Sequence, residues 1–212
     1  MLKKHLWKII ILGVVVLLVG SVAYSQYAAK QADEGVEIES HVKGNPEASV
    51  VLVEYSDFQC PACAQFYPYV QEILAEYPDS VRFEYRHFPL INIHPLAVPA
   101  ARAAEAAAQQ GKFWEMQDEL FENQSVWSKP ANPNAYFNQY AEELGLDVET
   151  FKRQMGSAMI QDAIDASFED ARGQGFSGTP TFLLNGKVME FTTFDEFRGQ
   201  IESAIGGEAS AE

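Results

Sequence analysis

The spacing of apolar residues changes several times along the chain, and each spacing predicts a structural element. Residues 49–55 form a nearly continuous apolar run, interrupted only by Glu54, which is typical of a central strand covered on both faces. From residue 61 to 77 the apolar positions recur every three or four residues, the period of one helix face. Residues 81–88 alternate apolar with charged side chains and predict a second strand. Strand, helix and strand together predict a crossover unit with two parallel strands.

The middle of the chain has only helical spacing. Helices are predicted at residues 100–110, 113–123, 134–144 and 147–172, the last with a break near Gly156. Strand patterns return at 181–184 and 187–191, on either side of Asn185-Gly186, a strong hairpin turn signal. An amphipathic helix at 193–205 closes the pattern. We therefore predict an α/β fold with a helical subdomain inserted at about residues 95–173.

The amino-terminal segment predicts export. Residues 9–24 carry no charged side chain and follow Lys3, Lys4 and Lys8. A cleaved signal peptide would end at a small-x-small site within residues 21–25, whereas an uncleaved anchor would use residues 6–24 as its span. We favour the anchor, with the positive residues in the cytoplasm and the domain outside. The predicted organisation is a signal or anchor segment at 1–25, a linker at 26–44, the domain at 45–206 and a tail at 207–212.

The charge balance of the remaining chain is acidic. Four of the 15 Lys and Arg residues lie in the first 30 positions, which leaves 11 against 30 Asp and Glu. Such a surface disfavours binding to nucleic acid and to anionic lipid headgroups. An exported location would also allow disulfides to persist, since the cytoplasm keeps thiols reduced.

The chain has two cysteines, in the stretch Cys60-Pro61-Ala62-Cys63 at the start of the first predicted helix after the strand. A structural zinc site would need four ligands, but there is no second cysteine pair, and the four histidines are scattered (His5, His41, His87 and His94). We therefore predict no metal and no cofactor. A purely structural disulfide is the other alternative, but a bridge closing so short a loop would stabilise the fold little. A redox-active pair is the remaining interpretation.

The position of each cysteine predicts its role. Cys60 lies at the helix start, where free N–H groups and the helix dipole favour the thiolate, so we predict that Cys60 is the nucleophile with a lowered pKa. Cys63 lies one turn further in and is predicted to be the buried resolving thiol. Stabilising the reduced thiolate makes a disulfide more oxidising. Because the intervening Pro61 and Ala62 provide no imidazole or other cation, we expect a weaker oxidant than a Cys-x-x-Cys pair that contains a histidine.

The order of elements and three local sequences resemble the DsbA-like branch of the thioredoxin superfamily. The local sequences are residues 55–63 around the cysteines, residues 94–114, and Gly178-Thr179-Pro180-Thr181-Phe182 at the entry to the hairpin. The resemblance covers roughly residues 45–205. It implies a thioredoxin-like fold with the helical insertion, preceded by the transmembrane or signal segment.

The resemblance also assigns site residues. Glu54 would lie beneath the cysteines and move protons during exchange, the alternative being a strand-end glutamate that reaches solvent. Pro180 would be a cis proline facing the disulfide, the alternative being an ordinary trans proline. The backbone of Thr179 would then pair with an extended substrate segment, and Pro61 and Ala62 would complete the substrate-binding surface.

The implied function is a protein-disulfide oxidoreductase that forms disulfides in thiol-containing exported proteins and is reoxidised by a DsbB- or VKOR-like membrane partner. A reductase or isomerase of the same fold would use the same residues. A metal- or peptide-binding module without turnover is an alternative of another class. His94 is predicted to cap or pack rather than to catalyse, and four aromatic residues are predicted to fill the helical subdomain (Phe113, Trp114, Phe121 and Trp127).

Overall fold

The computed structural model describes residues 2–129 and 131–208 and shows a mixed α/β fold. Its strands are β1 (His41–Gly44), β2 (Val50–Ser56), β3 (Val81–His87), β4 (Thr181–Leu184) and β5 (Lys187–Val188). Its helices are α1 (Leu2–Ala32), α2 (Pro61–Glu76), α3 (Ala97–Ala108), α4 (Phe113–Glu122), α5 (Gln124–Trp127), α6 (Asn134–Glu143), α7 (Val148–Gln154), α8 (Ala158–Gly173) and α9 (Phe194–Glu208).

Strand β2 lies at the centre of a single sheet with the order β1-β3-β2-β4-β5. The crossover through α2 makes β2 parallel to β3, which confirms the predicted parallel pair, and β4 pairs with β2 antiparallel on the other side. Because side chains alternate along a strand, Leu52 faces one core cluster while Val53 and Tyr55 face another. The sheet is therefore covered on both faces, and Glu54 shares the face of Leu52.

The helical insertion packs directly on the sheet. Its first helix, α3, is rich in alanine, and most of its alanines are buried. Small side chains allow neighbouring helices to approach closely, so α3 contacts α4, α6, α7 and α8. The predicted aromatic core is confirmed, since Phe113, Phe121 and Trp127 are buried and Trp114 packs against the same cluster. Insertion and sheet share one hydrophobic core.

The first strand of the sheet lies within the segment that was predicted to form the linker at 26–44. Val36 is buried, but it packs in the core rather than in the sheet, and β1 runs from His41 to Gly44. Gly44 ends the strand with a φ of +83°, and a Cβ at that position would lie 2.3 Å from the carbonyl oxygen of Val81. A close backbone approach at the sheet edge therefore requires glycine here.

The predicted hairpin is present but its second strand is short. Asn185 and Gly186 both have positive φ, as the tight turn requires. β5 ends at Val188 rather than at the expected residue 191, because Phe191 leaves the sheet and packs against Phe66 and Phe197.

The amino-terminal helix continues past the expected boundary at residue 25. Its last turns, residues 26–32, contain alanine, lysine and glutamine, which favour helix. Asp33 then receives hydrogen bonds from the Ser157 hydroxyl at 2.6 Å and the Ala158 backbone N–H at 2.9 Å, at the start of α8. Much of the expected linker at 26–44 is thus ordered against the domain. At the other end α9 includes residues 207 and 208 of the expected tail, and residues 209–212 lie outside the described residues.

Candidate active site

The two cysteines lie just beyond the carboxyl end of the central strand. Cys60 is the N-cap residue of α2 and Pro61 occupies its first turn, where a missing N–H has no cost. Both thiols are free, and the residue exposure is 6% for Cys60 and 0% for Cys63. The outer position of Cys60 and the inner position of Cys63 agree with the arrangement expected from the sequence.

The surroundings of Cys60 favour its thiolate. A hydrogen bond from the Cys63 thiol is the main cause that lowers the pKa of Cys60 to about 5, against the opposing effect of burial. The Thr179 side chain and the backbone N–H groups of Ala62 and Cys63 act in the same direction. A thiol with this pKa is largely ionised at neutral pH.

The surroundings of Cys63 favour its protonated form. Complete burial is the main cause that raises the pKa of Cys63 well above its usual value, and the hydrogen bond with Cys60 and the charge of Glu54 add to it. The pair thus divides into one thiolate and one thiol, with the proton held on the inner sulfur.

Glu54 is buried beneath this pair, and the alternative of a glutamate that reaches solvent is wrong, since the residue is 3% exposed. Burial raises the pKa of Glu54 to about 7, and a hydrogen bond from the Ser56 hydroxyl at 2.6 Å only partly opposes it. The hydroxyl of Tyr85, the β3 neighbour of Glu54, is also buried and has no hydrogen-bond partner among the described residues. A carboxyl group with a pKa near 7 can both accept and release a proton at physiological pH.

The peptide bond between Thr179 and Pro180 is cis, as expected from the sequence. This bond lies opposite the cysteines, because the Cys60 thiol donates a hydrogen bond to the Thr179 carbonyl oxygen at 3.4 Å. Pro61 is exposed, and Ala62, Thr179 and Pro180 are partly exposed. All of the residues expected at the site therefore lie around one sulfur atom or beneath it.

Asp57 holds the loop that leads from β2 to Cys60, a role that the sequence did not reveal. Its fully buried carboxylate accepts hydrogen bonds from the backbone N–H of Gln59 at 2.7 Å, the backbone N–H of Leu90 at 2.9 Å and the His94 ring at 2.7 Å. His94 therefore binds this loop and does not contact the cysteines, in agreement with the packing role predicted for it.

Gln124 ties the helical insertion to the same loop. Its side-chain amide donates to the carbonyl oxygens of Phe58 at 2.8 Å and Cys60 at 2.9 Å. Gln124 lies 64 residues after Cys60 and is related to it by no periodic pattern, so the sequence contained no signal for this contact.

The described residues contain one further group of metal-ligating side chains. His41, His87 and Glu105, which are scattered in the sequence, place their ligand atoms within 4.8 Å of one another. The group does not include the cysteines, and it was not expected from the sequence.

Several known proteins are similar to this chain. The Na(+)/H(+) antiporter NhaA 3 of Salinispora tropica is 45% identical over 147 residues, which make up 69% of this chain and 22% of that protein. The antiporter NhaA 1 of Mycolicibacterium gilvum is 40% identical over 151 residues, 69% of this chain and 23% of that protein. The chain thus matches less than a quarter of the length of these relatives.

Solved structures match over nearly their full length. A thioredoxin-like oxidoreductase from Silicibacter pomeroyi has 31% sequence identity and a TM-score of 0.66, with 81% of this chain and 96% of that chain covered. BdbD from Bacillus subtilis has 23% identity and a TM-score of 0.68, with 82% and 95% covered. A family model described as Thioredoxin matches residues 37–203. The chain therefore belongs to the thioredoxin family, and its fold is that of the DsbA-like thiol-disulfide oxidoreductases.

Proposed function

We propose that this protein forms disulfide bonds in thiol-containing exported proteins, with Cys60 and Cys63 as its redox pair. The observation that carries the proposal is the opposite shift of the two pKa values, about 5 for Cys60 and well above the usual range for Cys63. Stabilising the Cys60 thiolate stabilises the reduced form, and this makes the oxidised form a stronger oxidant.

The proposed reaction has two exchange steps. A substrate thiolate attacks the Cys60 sulfur of the enzyme disulfide, the bond between the two cysteines breaks, and Cys63 leaves with the electron pair. Because the thiolate of Cys63 is disfavoured by burial, it takes a proton, and Glu54, whose charge acts on Cys63, supplies it. The enzyme and substrate are then joined through Cys60.

In the second step another substrate thiolate attacks the substrate sulfur of this mixed disulfide. A substrate disulfide forms, and Cys60 leaves as the stabilised thiolate. Two substrate thiols have then lost two electrons and two protons, of which Cys63 holds one proton and solvent or Glu54 the other. The enzyme, now reduced, passes both electrons to a membrane partner of the DsbB or VKOR kind, which restores the disulfide.

Substrate binding in this proposal uses the surface around Cys60. Pro61 is exposed, and Ala62 and Thr179 are partly exposed. An extended substrate segment would lie beside the Thr179 backbone. Backbone pairing of this kind accepts many sequences, since it uses groups common to every peptide.

The reduction potential is the measurement that tests the direction of electron flow. The protein is equilibrated with glutathione buffers of known ratio and the fraction of disulfide is determined. We expect a value between about −120 mV, typical of DsbA, and about −270 mV, typical of thioredoxin. A value at or below that of thioredoxin would favour the reductase alternative.

Turnover separates an enzyme from a binding module. We expect the protein to oxidise a peptide with two cysteines in the presence of oxidised glutathione, and we expect Cys60→Ser to abolish this activity. Peptide binding without any turnover in the native protein would instead favour the non-catalytic module.

We also propose that α1 anchors the protein in the cell membrane with the domain outside. Residues Ile10–Ala32 form a helix with a mean hydropathy of 1.9, and none of the apolar window is buried against the domain. The protein should then resist carbonate extraction and keep its amino terminus at or near Met1. A mature amino terminus after residue 23 or 25 would show a cleaved signal peptide.

A further inference from the structure

Two histidines from neighbouring strands meet one glutamate of the helical insertion, and we name this group the His-Glu-His cluster (His41, His87 and Glu105). His41 lies on β1, His87 ends β3, and Glu105 lies on α3. Both histidines contact the same carboxylate oxygen, Oε1 of Glu105. The distance to this oxygen is 2.6 Å from the Nε2 atom of His41 and 2.8 Å from the Nε2 atom of His87. Three elements far apart in sequence therefore direct nitrogen and oxygen ligands to one point.

The cluster is buried, and one of its polar atoms has no partner. The exposure of the side chain is 4% for Glu105, 6% for His87 and 10% for His41. The second carboxylate oxygen of Glu105, Oε2, is buried without a hydrogen-bond partner among the described residues. Buried polar atoms are normally paired, so this oxygen is available to a further partner beside the two imidazole rings.

The carboxylate of Glu105 lies between the two imidazole rings, and one of its oxygens, Oε1, contacts the Nε2 atom of each ring. The site thus offers a buried anion between two imidazole rings. A simple hydrogen-bond network is the alternative. In such a network, however, the Nε2 atoms of both histidines bind Oε1 of Glu105, and Oε2 has no partner among the described residues.

We propose that the His-Glu-His cluster binds a divalent transition metal ion, with Zn²⁺ as the first candidate. Two imidazole nitrogens and one carboxylate are a known three-ligand set for zinc. Calcium and magnesium prefer oxygen ligands, so two histidines do not favour these ions. Each histidine would coordinate through Nε2 and carry its proton on Nδ1. Around a tetrahedral ion with bonds of about 2.0–2.1 Å the ligand atoms lie about 3.3 Å apart. The two nitrogen–oxygen distances, 2.6 and 2.8 Å, would therefore each lengthen by less than about 1 Å.

Space for the remaining ligand and a route to the site are both present. A cavity of about 440 Å³ is lined by His41 and Glu105, and a second of about 220 Å³ is lined by all three cluster residues. The smaller cavity is also lined by Glu84, Asp170 and Arg86, and the guanidinium of Arg86 forms ion pairs with both carboxylates. Three protein ligands would leave one coordination position for water.

A bound ion would join the two parts of the fold. It would link the sheet edge, through His41 and His87, to α3 of the insertion, through Glu105. An ion that binds only the folded state stabilises it in proportion to the logarithm of its concentration. The expected effect of the ion is therefore a higher stability of the folded protein, separate from the chemistry of the cysteines.

The test must exclude zinc binding by the cysteines, so it uses protein without an affinity tag in which Cys60 and Cys63 are oxidised to the disulfide. Zinc binding is measured by competition with a chromophoric indicator. We expect one zinc ion per chain in the native protein and an affinity more than about 100-fold lower in His41→Phe, which keeps the ring stacked on Phe113 but removes the ligand. Glu105→Gln should show the same loss, and His94→Gln, a histidine outside the cluster, should bind zinc normally.

Cobalt provides a second measurement on the same oxidised protein. Co²⁺ bound at the cluster should give weak visible bands without the intense near-ultraviolet band of thiolate ligands, and His41→Phe should lack these bands. If the oxidised native protein binds no zinc, or if His41→Phe binds zinc and cobalt as tightly as the native protein, the proposal is wrong. Because His41 is at the sheet edge and partly exposed, its replacement tests the site even if Glu105→Gln does not fold.

Discussion

The thiol of Cys60 donates a hydrogen bond to the backbone carbonyl oxygen of Thr179 at 3.4 Å, across 119 residues of sequence. Thr179 also has a side-chain hydroxyl, which is buried and has no hydrogen-bond partner among the described residues. The carbonyl can accept only from the thiol, whereas the hydroxyl can donate to the thiolate. Thr179 therefore has a suitable partner for either protonation state of Cys60.

The first prediction concerns the pKa of Cys60. Its alkylation rate by iodoacetamide should rise with pH and reach half of its maximum near pH 5. The midpoint should move to higher pH in Cys63→Ala, since the main hydrogen bond to the thiolate is lost, and by less in Cys63→Ser, whose hydroxyl can still donate. Thr179→Val, which keeps the shape but removes the hydroxyl, should also raise the pKa. An unchanged midpoint in Cys63→Ala would show that another group stabilises the thiolate.

The second prediction concerns the roles of the two sulfurs. Cys63→Ser should accumulate mixed disulfides with exported proteins through Cys60, because the intermediate then has no internal thiol to resolve it. Cys60→Ser should accumulate none, since Cys63 has 0% exposure and its thiolate is disfavoured. Non-reducing electrophoresis of the two variants checks this, and equal amounts of trapped protein would contradict the assignment.

The third prediction concerns proton transfer by Glu54. Glu54→Gln should slow the resolution of a preformed mixed disulfide on Cys60 by about 100-fold at neutral pH, because a general base typically contributes that much when its step limits the rate. Gln has nearly the same size but cannot take the proton of Cys63. The rate is measured against pH, with Glu84→Gln on β3 as the control. Coincident profiles for Glu54→Gln and the native protein would mean that water removes the proton.

The fourth prediction follows from the raised pKa of the same residue. The pKa of Glu54 is about 7 in the folded protein and 4.5 in an ordinary, solvated glutamate. Its contribution to the free energy of unfolding is therefore fully present below pH 4.5 and is lost as the pH rises from 4.5 through 7. Glu54→Gln removes this dependence, so its free energy of unfolding relative to the native protein should rise by about 3 kcal/mol between pH 4 and pH 8. Urea unfolding at several pH values measures the difference. A difference that does not vary with pH would show that Glu54 has an ordinary pKa.

The fifth prediction concerns the contact between the insertion and the active-site loop. Gln124→Ala removes two hydrogen bonds and leaves the carbonyl oxygens of Phe58 and Cys60 without that donor. We expect a loss of about 1–3 kcal/mol in the free energy of unfolding. Gln139→Ala, on the exposed surface of α6, should change it by less than about 0.5 kcal/mol. Equal effects of the two variants would mean that the Gln124 contact does not hold the loop.

Local patterns were sufficient to predict the main elements and the cysteine pair. The alternation of residues 81–87 predicted β3, and the position of Cys60 before Pro61 predicted a thiol at a helix start. These features depend on neighbours in sequence, which periodicity and capping rules describe well.

The contacts that the sequence did not reveal all join distant segments. His41 and Glu105 are 64 residues apart, and Asp33 and Ser157 are 124 residues apart. Such pairs form only because β1 adds to the edge of the sheet and α3 and α8 pack nearby. No spacing rule connects them, since their separation depends on the complete chain path.

If α1 anchors the protein in the membrane, the joint between α1 and the domain would limit how far the active site can reach. The span Ile10–Ala32 has 23 residues, and at about 1.5 Å per residue it is about 35 Å long, close to the hydrocarbon thickness of a bilayer. Asp33 follows this span directly and is bound to the start of α8. An anchored protein would thus have no slack tether, and its sulfur would stay at a fixed height above the lipid. Polypeptides that emerge beside the membrane would meet it more often than proteins already diffusing away.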